Sequence, residues 1–308
     1  MPVIEVEGLV KRYGETRAVD GVSFGVQEGE IYGIVGPNGA GKTTIVESIE
    51  GLRIPDAGSI RVLGLDPIAD RYEITERLGV QLQESRLQDK IRVDEVLDLY
   101  ASFYRSPADW HDLLERLGLG SKEHARYADL SGGQKQRLAV ALALVGSPEL
   151  AILDELTTGL DPQARRDTWE TIEEIKRSGV TVVLVTHFME EADRLCDRIM
   201  VVDHGRIAAI DTPDGLIRRI SSEQRMRFRP SEPLDDALLT ALPDVSAVMH
   251  EGAQTVVTGT GNVVHSVTAL LAQRHVIAQD LRIEQASLED AYLALTNDEL
   301  VETGLEVR

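Results

Sequence analysis

Apolar positions along the chain switch between a period of two and a period of three to four, and the switches mark out its elements. Residues 3–10 alternate loosely into Lys11-Arg12-Tyr13-Gly14, and residues 22–26 alternate again before Glu28-Gly29. Together they predict two antiparallel strands packed beside a short apolar strand at 31–35. A helix follows over 45–50 and closes at Gly51, and Pro55-Asp56-Ala57-Gly58 turns the chain into a strand at 59–62. The spacing then predicts a short amphipathic helix over 74–78 and a strand over 79–83. Beyond that the period stays helical, with one helix over 93–104 and another capped by Ser106-Pro107 and running to Leu117. A helical insert at about 84–148 thus interrupts an α/β domain. It ends in Leu138–Val145, apolar on every face and therefore a buried helix, with Ser131 placed as its N-cap. The strand 149–153 ends in Asp154-Glu155. A helix over 164–178 stops at Gly179, and 180–185 reads as a buried parallel strand ending in Thr186-His187. A hairpin over 200–208 and a helix start at Thr212-Pro213-Asp214-Gly215 complete a first domain, 1–217. After a polar linker at 218–225, residues 226–308 carry strand, helix, two strands, helix and strand at 226–229, 234–242, 245–250, 254–258, 262–274 and 277–283, then a helix at 287–296. That β-α-β-β-α-β order predicts a small α+β domain of ferredoxin-like type.

The candidate chemistry lies at the junctions. Between the strand 31–35 and its helix stands Gly36-Pro37-Asn38-Gly39-Ala40-Gly41-Lys42-Thr43-Thr44, which fits G-x-x-x-x-G-K-[ST]. Such a turn wraps backbone N–H groups around a polyphosphate while the helix points its positive end at it. Lys42 adds a mobile charge for the β- and γ-phosphates, and Thr43 offers a hydroxyl to Mg²⁺. Two carboxylates at the end of an apolar strand are unfavourable unless a metal or a reaction uses them, which aims Asp154 at Mg²⁺ and Glu155 at a water molecule. His187 ends its strand on the same sheet edge, the edge where ligands sit in open parallel sheets. The capped helix behind Ser131-Gly132-Gly133-Gln134 presents a second set of amides to an anion. Tyr13, at a turn, is placed to lie against a flat ring.

Composition narrows the partners. A formal charge of −20 over 308 residues repels a nucleic-acid backbone, and no basic cluster with interleaved aromatics offsets it. The single cysteine, Cys196, fits a reducing compartment and reads as a small buried residue. The start of the chain has no signal-peptide pattern, and the longest apolar runs fall well short of a membrane span. A membrane role is therefore expected to come through another chain.

The Gly-rich loop at 36–43, Leu130-Ser131-Gly132-Gly133-Gln134, Leu153-Asp154-Glu155, Gly159-Leu160-Asp161 and His187, in this order, resemble the nucleotide-binding subunit of ATP-binding-cassette transporters over residues 3–217. The resemblance implies a P-loop ATPase domain with a mixed sheet core, an antiparallel β subdomain and a helical insert, taking ATP and Mg²⁺. It implies that Tyr13 stacks on adenine, that Gln83 (or the nearby Gln81) joins the Mg²⁺ shell, that Ser131 to Gln134 is the signature loop, that Asp161 communicates across a dimer and that His187 is the switch histidine. Proline most often follows the catalytic glutamate in this family, and Leu156 stands there instead. Ser287-Leu288-Glu289-Asp290-Ala291-Tyr292-Leu293-Ala294-Leu295-Thr296 resembles the closing motif of drug-resistance exporters of the daunorubicin type. The implied function is hydrolysis of ATP to drive a separately encoded membrane permease, with the chain cytoplasmic and peripheral on the inner face of the cell membrane. Two copies are expected head to tail, each ATP bound by Gly36–Thr43 of one and capped by Ser131–Gln134 of the other. Glu155 is then the general base, His187 holds the γ-phosphate and Lys42 spreads developing charge. The alternative is a soluble cassette ATPase acting on a nucleic-acid or ribosomal partner. Such proteins usually carry two cassettes, a coiled-coil insertion or a basic surface, none of which is visible here.

Overall fold

The structure, a computed structural model, describes residues 2–81, 87–220 and 223–296 and divides the chain into two compact units, between Pro213 and Asp214. In the first unit, strands β1 (Pro2–Tyr13) and β2 (Thr16–Gln27) pair antiparallel. They form a separate three-stranded sheet with β4 (Ala57–Val62), in the order β2-β1-β4. Between them in sequence come β3 (Ile31–Val35) and helix α1 (Lys42–Ile49). The main sheet has six strands in the order β5-β6-β7-β3-β8-β9: β5 (Leu78–Gln81), β6 (Leu150–Asp154), β7 (Thr181–Thr186), β8 (Arg198–Asp203) and β9 (Arg206–Asp211) join β3. All its pairs are parallel except β8 with β9. Its central strands are buried on both faces, which is why they read as continuous apolar runs. Phe24 of β2 stacks on Tyr32 of β3, with ring centroids 5.7 Å apart, and binds the two sheets across a shared core.

Helix α2 occupies Arg71–Thr75 rather than 74–78, because Leu78 is already taken by parallel pairing with Leu150. The insert holds α3 (Val93–Ala101), α4 (Trp110–Arg116) and α5 (Gly132–Leu144). Helix α3 stops at Ala101, short of Tyr104, where the chain tightens into amide bonds three residues back. Helix α4 is capped by Asp109, whose carboxylate accepts from the His111 amide, and not by Ser106-Pro107. There the chain is held extended by the Ala108 amide donating to the Val145 carbonyl at 2.7 Å. Helix α5 packs on β5 and joins the insert to the sheet, so closely that a Cβ on Gly79 would stand 2.0 Å from the Ala143 carbonyl oxygen. Helices α6 (Pro162–Arg177) and α7 (Met189–Leu195) flank β7. Cys196 ends α7 buried against Gly33, and burial raises its thiol pKa beyond reactive use.

Helix α8 (Pro213–Ile220) leads the second unit, so the division falls ahead of the polar stretch 218–225. There β10 (Gln224–Pro230), α9 (Asp236–Thr240), β11 (Val245–Glu251), β12 (Gln254–Gly259), α10 (Val263–Gln273), β13 (Ala278–Gln285) and α11 (Leu288–Thr296) follow in order. The antiparallel sheet runs β11-β12-β10-β13 over a core of its own around Met226, Phe228, Val257 and Val267. Among the described residues no helix is long and apolar enough to cross a membrane.

Candidate functional site

The register of the main sheet brings the chemistry together. Val35 of β3 pairs with Thr186 of β7, and Val185 pairs with Asp154 of β6, so the Gly-rich loop, the two carboxylates and His187 leave one carboxyl edge. They line a cleft of about 500 Å³ with Asn38, Gly39, Gly41, Lys42, Thr43, Thr44 and Ala18. The loop admits only glycine at two points. A Cβ on Gly36 would lie 2.2 Å from the Val202 carbonyl oxygen, and Gly41, at φ 106°, would place one 2.3 Å from that of Ala18. Gly41 caps α1, so the first amides of that helix open into the cleft.

Lys42 is only 7% exposed, and its Nζ donates to the carbonyls of Gly36 and Pro37 at 2.8 and 3.0 Å. Burial lowers its pKa, while Glu155 and Asp154 hold it up. Glu155 sits in the left-handed region at φ 49°, pinned by its amide donating to the Val185 carbonyl at 2.9 Å. Its Oε1 lies 3.2 Å from His187 Nδ1, so the carboxylate and the imidazole already face each other. Leu156, where proline was the expected neighbour, is fully buried and leaves this geometry in place.

Burial and Glu155 push the Asp154 carboxyl up to about 6, against the pull of Lys42. An undercompensated carboxylate in the same cleft as the Thr43 hydroxyl is the kind of oxygen donor set that a hard divalent cation takes, so these residues fit Mg²⁺. The folded protein holds this proton more tightly than the unfolded chain, whose carboxyl keeps the ordinary value of 3.8. The contribution to stability is fully present below that ordinary value and is lost as pH rises through about 6. Asp154→Asn should therefore be more stable than the parent near pH 8, by about 1–2 kcal/mol once solvent screening is allowed for, with the gap closing toward acid. Denaturant melts without nucleotide or metal measure it, and a variant less stable at high pH would show the carboxylate to be fully compensated.

The other candidates fall elsewhere. Ser131 caps α5 reciprocally with Gln134: its Oγ accepts from the Gln134 amide at 3.3 Å, and its amide donates to Gln134 Oε1 at 2.9 Å. Ser131, Gly132 and Gly133 line a different cleft, of about 410 Å³, with Gly159, Leu160 and Asp161. Asp161 caps α6 by accepting from the amides of Ala164 and Gln163, which hold its pKa below the usual range. Tyr13 is not brought into the lining of the loop cleft. It stands 42% exposed at the end of β1, with the Arg53 guanidinium 5.5 Å from its ring centroid. Gln83 lies outside the described residues. Gln81, the alternative, is buried and its Oε1 accepts from the Asp154 amide at 3.1 Å.

Sequence reading passed over Glu191. It is fully buried on α7, and its Oε1 accepts from Trp169 Nε1 of α6 at 3.2 Å. Burial raises its pKa, opposed by the hydroxyls of Thr186 and Thr157 and by that indole. A lone Glu in an amphipathic helix carries no local mark of such burial.

A family model described as ABC transporter matches residues 19–158. The Nod factor export ATP-binding protein I of Ralstonia nicotianae is 38% identical over 97% of this chain and 95% of its own length. The chain belongs to the ABC transporter family. The daunorubicin resistance ATP-binding protein DrrA3 of Streptomyces coeruleorubidus is 34% identical over 96% of each chain. A solved ATP-binding cassette in a dimeric, post-hydrolysis state with ADP and Pi is 25% identical, with a TM-score of 0.60 over 68% of this chain and 98% of that one. As an ABC transporter ATP-binding subunit, the protein binds and hydrolyses ATP.

Proposed function

We propose that the protein powers export through a separate membrane-spanning subunit, working as a head-to-tail dimer that closes on ATP. The convergence of Lys42, Asp154, Glu155 and His187 in one cleft carries this reading, because phosphoryl transfer to water needs a fixed cation, a base and a γ-phosphate ligand within reach of one another. Gly36 to Thr44 would wrap the phosphates, and Thr43, Asp154 and Gln83 would hold Mg²⁺, which would supply positive charge to the phosphate group. Gln81 is already engaged with the Asp154 amide, which favours Gln83 for the metal shell. Glu155 takes a proton from the attacking water and His187 steadies the γ-phosphate. Tyr13, at the free end of β1, stacks on adenine.

The separation of the Ser131–Gly133 cleft from the Lys42 cleft supports closure between two chains, in which Ser131 to Gln134 of one copy completes the site of the other. Asp161, lining the cleft beside that loop, relays the state of one site to its twin. Residues 1–217 form the motor and 226–308 an accessory domain at the inner face of the membrane. Export is favoured by relatives named for Nod factor export and daunorubicin resistance. Affinity capture of the tagged chain from detergent-solubilised native membranes should retain an integral membrane protein whose presence stimulates ATP hydrolysis. Retention of ribosomes or nucleic acid in its place would overturn the reading.

A further inference from the structure

Residues 155–161 join β6 to α6, with Glu155 at one end and Asp161 at the other. Thr157, between them, is fully buried, yet its hydroxyl has no hydrogen-bond partner. Glu191 of α7 is fully buried too, and its carboxylate is only half satisfied: Oε1 accepts from Trp169 Nε1 at 3.2 Å, while Oε2 has no partner. Two unmatched polar atoms are costly in a core, and a hydroxyl donor and a carboxylate acceptor are complementary. Burial raises the pKa of Glu191 and the hydroxyls of Thr186 and Thr157 pull it back, so both threonines stand near the carboxylate. Thr157 nonetheless stops short of a hydrogen bond. Thr186, fully buried, ends β7 immediately before His187, and its Oγ1 accepts from the Phe188 amide at 3.0 Å. Glu191 therefore sits where α6, the 155–161 segment and the turn carrying His187 meet.

We propose that Glu191 is a positioning residue for ATP hydrolysis, joining the segment that ends in Asp161 to the turn that carries His187 through a hydrogen bond that Thr157 donates to its Oε2 when nucleotide binds. The inference rests on Glu155 and His187 being the hydrolytic pair, and it adds what sets their spacing. His187 Nδ1 lies 3.2 Å from Glu155 Oε1. Thr157 stands two residues beyond Glu155 and Thr186 one residue before His187, so a carboxylate that holds both fixes the backbone on either side of that contact. A charged acceptor makes the stronger bond, and the Trp169 indole keeps the carboxylate from swinging away. Glu191 itself does not line the nucleotide cleft and acts only through these neighbours.

Thr157→Val removes the hydroxyl and keeps the side chain's shape. Because that hydroxyl bonds nothing here, the variant without nucleotide should unfold at no lower denaturant concentration than the parent. Its kcat should nevertheless fall about tenfold, with KM for ATP within about two-fold. Thr157→Ser, which returns a donor to the same place, should recover most of the rate. Turnover by Thr157→Val within about two-fold of the parent overturns the proposal. So does a loss that Thr157→Ser fails to recover, since Thr157 would then only fill space. A second readout needs no turnover. Trp169 is one of two tryptophans, and its indole N–H resonance, assigned with Trp110→Phe, reports the bond to Glu191. With Mg²⁺ and a non-hydrolysable ATP analogue it should shift in the parent and in Glu155→Gln, and stay in place in Thr157→Val. No shift in the parent, or an equal shift in Thr157→Val, sinks the link to nucleotide. If Glu155→Gln hydrolyses ATP normally, the base assignment fails on its own, and the indole resonance still decides whether Glu191 senses the nucleotide.

Discussion

Glu155→Gln should lower steady-state ATP hydrolysis by about 10²–10⁴-fold while leaving ATP binding within a few-fold of the parent protein. The substitution keeps the side chain's length and shape, and two features that set its position are backbone ones: the left-handed φ of 49° and the hydrogen bond that its N–H donates to the Val185 carbonyl. His187 Nδ1, now 3.2 Å from Glu155 Oε1, retains an oxygen to face. What disappears is the ability to accept a proton from water. On the proposed reading nucleotide is held by the amides of Gly36 to Thr44 and by Lys42, whose charge keeps the support of Asp154 when that of residue 155 is removed. A variant that binds but cannot hydrolyse should accumulate as an ATP-loaded dimer on size-exclusion chromatography. Phosphate release against binding of a fluorescent ATP analogue makes the comparison, and turnover within a few-fold of the parent would remove Glu155 from the role of base.

The parts of this site that were legible in the sequence are those whose cause is local. Gly36 to Thr44 can be read because glycine spacing and one lysine define the loop, whatever surrounds it. Asp154, Glu155 and His187 can be read one step further out, because apolar strands such as Leu150–Asp154 and Thr181–Thr186 pair in parallel and deliver their ends to one edge. The cap at Ser131 needs only its own four residues. The features that escaped depend on distant partners. Asp109 takes the cap of α4 from Ser106 because the Val145 carbonyl, far along the chain, holds Ala108 extended. Helix α2 slips toward its start because Leu78 is claimed by Leu150. Glu50 and Glu191 look like ordinary helical glutamates, and only the packing of other elements over them turns each into a buried acid. Tyr13 is legible as an exposed strand-end aromatic, and 42% of it is open, but which surface it covers has no local mark.

Mixing two inactive variants should restore activity if each site is built from two chains. Take Lys42→Ala, which removes the phosphate-loop cation, and Ser131→Arg, which blocks the other half of the site. Each alone forms dimers in which both sites are broken, because the two copies of a symmetric dimer lend each other the same surfaces. In a mixed dimer one site combines both faults, while the other joins the intact loop of the Ser131→Arg chain to the intact Ser131–Gln134 corner of the Lys42→Ala chain. Half of the dimers in an equal mixture are mixed, and each carries one sound site of two, so about a quarter of the parent number of sites returns. Hydrolysis should rise from near zero toward that fraction if sites fire independently, and stay below it if Asp161 makes each site wait for its twin. Should every ratio of the two variants remain inactive even though mixed dimers are detected by mass spectrometry, both sites must act together. If instead Ser131→Arg alone hydrolyses ATP normally, the α5 corner takes no part in the site. The separation of the Lys42 cleft from the Ser131 cleft would then reflect nothing more than the depth of the helical insert.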